Sequence, residues 1–124
     1  FLALGGFDSI YYPFYWEDVD ICYRAWKRGW WVLYEPKSIA NHRCHATIDK
    51  IEEKDYIGML HTRNQLLFIW KNVTDKRMLM GHARVSVYHI INGPRRFRRG
   101  FLEAFKKIAY GVGLSTIFHY IDSY

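Results

Sequence analysis

The sequence predicts an α/β chain, helix-rich and with short strands. Three observations lead there. Residues 1–4 form an apolar, strand-like run into a Gly5-Gly6 turn. An aromatic and β-branched run at residues 30–35 follows a helix-period segment. Three further segments beyond residue 50 repeat apolar residues at intervals of three and four. The chain has 124 residues, enough for one small domain with its own core.

Residues 17–28 read as a helix. Val19, Cys22, Tyr23 and Trp26 fall at helical spacing and predict one apolar, core-facing stripe. Asp20 and Arg24 are four apart and support the helix, whereas Arg24 and Arg28 oppose it slightly. Glu17 and Asp18 occupy the first turn, where the helix dipole favours carboxylates. Gly29 is the C-terminal stop. Residues 30–35 then read as a strand ended by Pro36, and residues 38–43 as a second short strand.

Residues 51–71 give the clearest helix, with Tyr56, Met59, Leu60, Arg63, Leu67 and Trp70 as its core-facing stripe. Thr74 is placed to cap a third helix running from Asp75 to about Ile91, which Asn92-Gly93-Pro94 ends. Residues 95–110 predict a basic amphipathic helix. Phe97, Phe101, Leu102, Phe105, Ile108 and Ala109 are set against arginines and lysines. The chain divides into residues 1–74 and a basic helical extension, residues 75–124.

The net charge is +6 and unevenly spread. The first twenty residues are acidic, and Arg95, Arg96, Arg98, Arg99, Lys106 and Lys107 crowd the far end. A basic segment of this kind suits an anionic partner. Two readings stand side by side: peripheral membrane contact through residues 95–110, or a helix that packs on an upstream half of the domain and keeps its charges solvated. Nucleic acid ranks lower, because the basic run is short and no recognised binding motif accompanies it. No run of about 18 apolar residues predicts a membrane span. Two cysteines make no disulfide scaffold, so the default is a reduced, cytoplasmic chain; membrane contact through the basic segment would put it at the inner face of the membrane.

The chemistry-bearing residues concentrate near the start. Gly5, Gly6, Phe7 and Asp8 form a tight-turn string, with glycine suited to positive φ. Glu17, Asp18, Asp20, Ile21 and Arg24 follow on the helix, then Gly29 and His42. A further pattern places Arg63, Asn64, Lys71 and Asn72 as R-N-x₆-K-N.

In this order and spacing the motifs resemble the C-terminal part of the catalytic domain in family 2 glycosyltransferases. These enzymes of GT-A (Rossmann-like) fold use nucleotide-sugar donors. Ser9 departs from the family, which usually has Glu there. The resemblance covers about residues 1–72. It implies transfer of a sugar from a nucleotide-diphosphate donor to a hydroxyl of a glycan or lipid-linked glycan acceptor, with inversion.

The resemblance also implies roles for single residues. Asp18 would be the general base that takes the acceptor proton. Glu17 would be its partner, bonding the acceptor or holding the base. Gly5, Gly6, Phe7, Asp8 and Trp16 would line the acceptor side, Trp16 as a stacking platform. His42 would complete a site for Mn²⁺ or Mg²⁺ at the diphosphate. Arg43 would meet phosphate, and Arg24 would meet phosphate or steady the acidic turn through Asp20. The nucleotide-binding layer would lie upstream, so this stretch reads as a fragment that is inactive alone. The rival reading is a non-enzymatic basic module binding an anionic membrane surface or nucleic acid.

Overall fold

A computed structural model describes residues 1–39 and 54–110. Four helices carry the fold: α1 (Glu17–Lys27), α2 (Lys54–Asn72), α3 (Lys76–Asn92) and α4 (Arg95–Ala109). Two 3₁₀ turns, Leu2–Leu4 and Ser9–Tyr11, precede them.

No strand occurs among the described residues, so the expected α/β, Rossmann-like class is corrected to an all-helical one. The physical reason is partnership. A strand is stabilised by a neighbouring ladder, and the apolar runs at the start of the chain find none among the described residues. Residues 1–4 close on themselves instead: the Gly5 N–H donates to the Leu2 carbonyl at 2.9 Å. Residues 30–35 lie exposed without ladder bonds, with Trp31 87% and Tyr34 90% accessible. Strand-like composition there does not suffice without a partner strand. Residues 38–39 form no strand either, and the rest of that expected element lies outside the described residues.

The bounds of the helices match the sequence signals closely. α3 is capped by Asp75 rather than Thr74: the Asp75 side chain accepts from Met78 N at 2.9 Å. Pro94 precedes the first turn of α4, where a missing N–H does no harm.

α2 is the central element. It buries Met59, Leu60, Leu66 and Leu67 and, among them, Asn64, Lys71 and Asn72. The core is built where the Ser9–Tyr11 turn, α2 and α4 meet: Ile10, Tyr11, Leu66, Leu67 and Ala104, with Trp16, Phe68, Trp70, Phe101 and Ile108 packed around them. The amphipathic face of α4 therefore packs back onto the residues around the acidic turn.

α1 reverses its expected orientation. Val19, Cys22 and Trp26 are exposed, and Tyr23 is half-buried against Phe68. The buried pair is Asp20 and Arg24. Hydrophobic periodicity selects the wrong face here because an ion pair, saturated by further partners, occupies the inner one.

α2 and α4 approach most closely at Gly100. A Cβ there would lie 2.9 Å from the Met59 carbonyl oxygen and 3.1 Å from the Arg63 nitrogen. Both are backbone atoms that cannot swing aside. Gly100→Ala is expected to destabilise the fold by about 1–3 kcal/mol through overpacking, despite alanine's better helix propensity. Urea denaturation followed by circular dichroism checks this; a gain in stability would show that the helices have room to part.

Candidate functional site

The first twenty residues fold into a turn that cannot hold itself. The two glycines at 5 and 6 both take positive φ, +76° and +73°. That conformation is cheap only for glycine. It leaves the carbonyls of Leu4 and Gly6 facing α1, where Arg24 donates to both, the Gly6 bond measuring 2.7 Å. Arg28 donates to the Ala3 carbonyl at 2.9 Å. Arg24 thus has the turn-steadying place that its spacing from Asp20 suggests.

Asp20 is fully buried and saturated. Oδ1 accepts from Tyr11 Oη at 2.9 Å, Lys71 Nζ at 2.9 Å and Asn72 Nδ2 at 3.0 Å; Oδ2 accepts from Arg24 Nε at 2.7 Å. Burial alone would raise its pKa, but Lys71, Asn72 and Arg24 outweigh it and hold the carboxyl below the ordinary value. Tyr11 moves the other way. Burial, then the Asp20 charge, push its phenol far above the usual range, so it stays a donor.

Lys71 bridges two acids. The same ammonium donates to Asp8 Oδ2 at 2.7 Å. Asp8 Oδ1 in turn accepts from Ile10 N at 2.9 Å, capping the Ser9–Tyr11 turn. One turn-pair earlier on α2, Asn64 Nδ2 reaches the carbonyls of Tyr11, Phe14 and Tyr15 at 2.8, 2.8 and 2.9 Å. Arg63 donates to the Tyr12 carbonyl and to Asn64 Oδ1. Burial lowers the Arg63 pKa from its usual value.

The four members of the R-N-x₆-K-N pattern all anchor the segment from Asp8 to Asp20. Sequence reading notices the pattern without assigning this role. Its signal is the spacing: positions 64 and 71 lie two helical turns apart, so polar residues recur on one face of a largely apolar helix.

Beside this scaffold opens a cavity of about 560 Å³, lined by Phe7, Asp8, Ser9, Tyr11, Tyr12, Pro13, Phe14, Glu17 and Lys107. The volume lies within the range of small-molecule sites. Glu17 is half-buried, and its Oε2 is buried without a hydrogen-bond partner. Asp18 is exposed at the start of α1, and its Oδ1 accepts from Val19 N at 2.8 Å. Lys107 enters from α4 and donates to the Ile10 carbonyl. Burial, then Arg63, lower its pKa, while Asp8 opposes them. Sequence reading treats Lys107 as part of a remote basic tail and misses Pro13 and Phe14.

The structure separates other expected site residues from the cavity lining. Trp16 is half-buried in the core edge, its ring 5.3 Å from Phe68 and 5.7 Å from His61, with its indole Nε1 buried and unpartnered. Gly5 and Gly6 shape the turn that carries Phe7. His42 and Arg43 lie outside the described residues. Among the described residues no cluster of three His, Cys, Asp or Glu side chains offers a metal site. Asp20 and Asp8 are already committed to Lys71 and Arg24. The contact expected for Mn²⁺ or Mg²⁺, His42, thus lies outside the described residues. No helix among them is long and apolar enough to cross a membrane.

Compared with known families, curated proteins and solved structures, the chain has no match in any of the three.

Asp20 carries a stability prediction. Its folded pKa is depressed, so its contribution is fully present above the unfolded value near 3.9 and is lost as pH falls through the lower folded value. Asp20→Asn should cost about 3–5 kcal/mol at neutral pH, because it strands buried cations, and should flatten the acid limb. Urea titrations from pH 2 to 7 read both effects. An acid limb unchanged in the variant would place the titrating group elsewhere.

Proposed function

We propose that this chain supplies the acceptor-handling carboxylates of a nucleotide-sugar glycosyltransferase. The observation that carries the reading is the Glu17-Asp18 pair, set at the start of α1 by the buried Asp20 scaffold. Glu17 presents an unpartnered buried oxygen beside an aromatic cavity. The all-helical architecture lends no fold-level support, so the reading rests on this site and on motif order.

The acceptor sugar enters the cavity. Its apolar C–H faces meet the rings of Phe7, Tyr12 and Phe14, and its hydroxyls meet polar groups at the rim. Glu17, which lines the cavity, accepts a hydrogen bond from one acceptor hydroxyl. Asp18, exposed beside it with one oxygen outside its bond to Val19 N, takes the proton from the attacking hydroxyl. The hydroxyl oxygen bonds to the anomeric carbon as the nucleotide diphosphate leaves from the opposite face, which inverts the centre. Both carboxylates lie in the first turn of α1.

The basic-module alternative is weaker for the first 72 residues. It gives no purpose to the four α2 side chains spent on ordering the acidic turn.

The test is sugar transfer from a panel of nucleotide-diphosphate donors by the protein that carries this chain. Asp18→Asn should lower kcat by about 10²–10⁴-fold, the usual worth of a general base. Glu17→Gln should act mainly on acceptor KM. Full activity in Asp18→Asn would remove it as the base, and loss of activity only in Glu17→Gln would move that role to Glu17.

A further inference from the structure

The charge of this chain is divided with the fold. Residues 75–110 hold nine basic and two acidic side chains, whereas the rest of the chain holds nine basic and ten acidic. The whole positive excess therefore sits on α3 and α4. Packing divides α4 into two faces. Gly100 and Ala104 are buried, and half-buried Phe101 packs on Trp70 of α2 at 5.5 Å between ring centres. The opposite stripe runs Arg98, Leu102, Phe105, at steps of four and three. Leu102 and Phe105 are 56% and 58% exposed, although they belong to the most apolar residues of the helix. Across the short turn at residues 93–94, the end of α3 exposes Tyr88 at 61% and Ile91 at 69%.

This combination has a specific chemistry. Cations alone would suit any polyanion. Leucine, phenylalanine and isoleucine side chains gain only where they can leave water. A surface that offers both at once is an anionic bilayer. There phosphate headgroups meet the arginines and the acyl boundary takes the apolar side chains. A helix of 15 residues, about 22 Å long, suits a position in the plane of such an interface and is too short to span it.

We infer that the outer face of α4, with the adjoining end of α3, docks on an anionic lipid surface through Arg95, Arg98, Leu102, Phe105 and Ile91. Because Gly100 and Ala104 already fix α4 on α2, docking requires no folding of the helix. The inference stands on α3 and α4 and does not depend on the sugar-transfer reading.

Cosedimentation of the full chain with vesicles tests it. One set is phosphatidylcholine alone, the other phosphatidylcholine mixed with phosphatidylglycerol. Binding should require the anionic lipid and weaken with added salt. Arg95→Gln together with Arg98→Gln should weaken it about 25-fold, near fivefold for each charge. Phe105→Ser should weaken it at low and high salt alike, and the circular dichroism of both variants should match the parent. Equal binding to both vesicle types, or no effect of the arginine pair, overturns the inference. So does tighter, Phe105-independent binding to single-stranded DNA, which would make nucleic acid the partner. Self-association lost in Phe105→Ser, without vesicle binding, would make a second copy the partner.

Discussion

A single buried carboxylate organises the part of this chain in which the candidate chemistry lies. Asp20 has no exposed surface, yet it gathers Tyr11 from the turn before it, Arg24 from its own helix, and Lys71 and Asn72 from α2. A buried charge is tolerated only when it is neutralised and fully hydrogen-bonded. Here that requirement acts as a positional constraint. The four donors can reach Asp20 only if α1, α2 and the first turn sit in one arrangement. Lys71 extends the constraint to Asp8, and Arg24 extends it to the carbonyls of Leu4 and Gly6. An apolar contact of equal strength would leave more freedom, because hydrophobic burial is not directional.

The consequence is a division of labour among four acids within thirteen residues. Asp8 and Asp20 are held by cations and keep the scaffold together. Glu17 and Asp18 are left outside it, one at a cavity and one at the surface. Asn64 completes the design by tying three carbonyls of one short segment, those of Tyr11, Phe14 and Tyr15, to α2. A backbone segment with little regular structure thereby satisfies its polar groups through one side chain.

Helical periods and stop signals made all four helices legible, with boundaries within a few residues. Strands were not legible, because composition speaks for a strand only if a partner exists, and residues 30–35 have none among the described residues. The face of α1 was misread for a related reason. A hydrophobic stripe through Val19, Cys22 and Trp26 looks inward until the partners of Asp20 are known, and those lie about fifty residues away on α2. The acidic pair and the Gly5-Gly6 turn were visible from spacing and residue type. The cavity was not, since Lys107 joins it from a helix nearly a hundred residues distant. No local pattern reports so remote a contact.

The claim on which the account depends is that Asp20 is ionised and held by cations in the folded protein. A carboxyl ¹³C titration of Asp20 by NMR measures this directly. The account predicts a midpoint below the ordinary aspartate value near 3.9, moving upward in Lys71→Met. A midpoint above that value in the parent protein would mean that burial outweighs the cations. Asp20 would then be a neutral hydrogen-bonding group, and the acidic turn would need another explanation for its order.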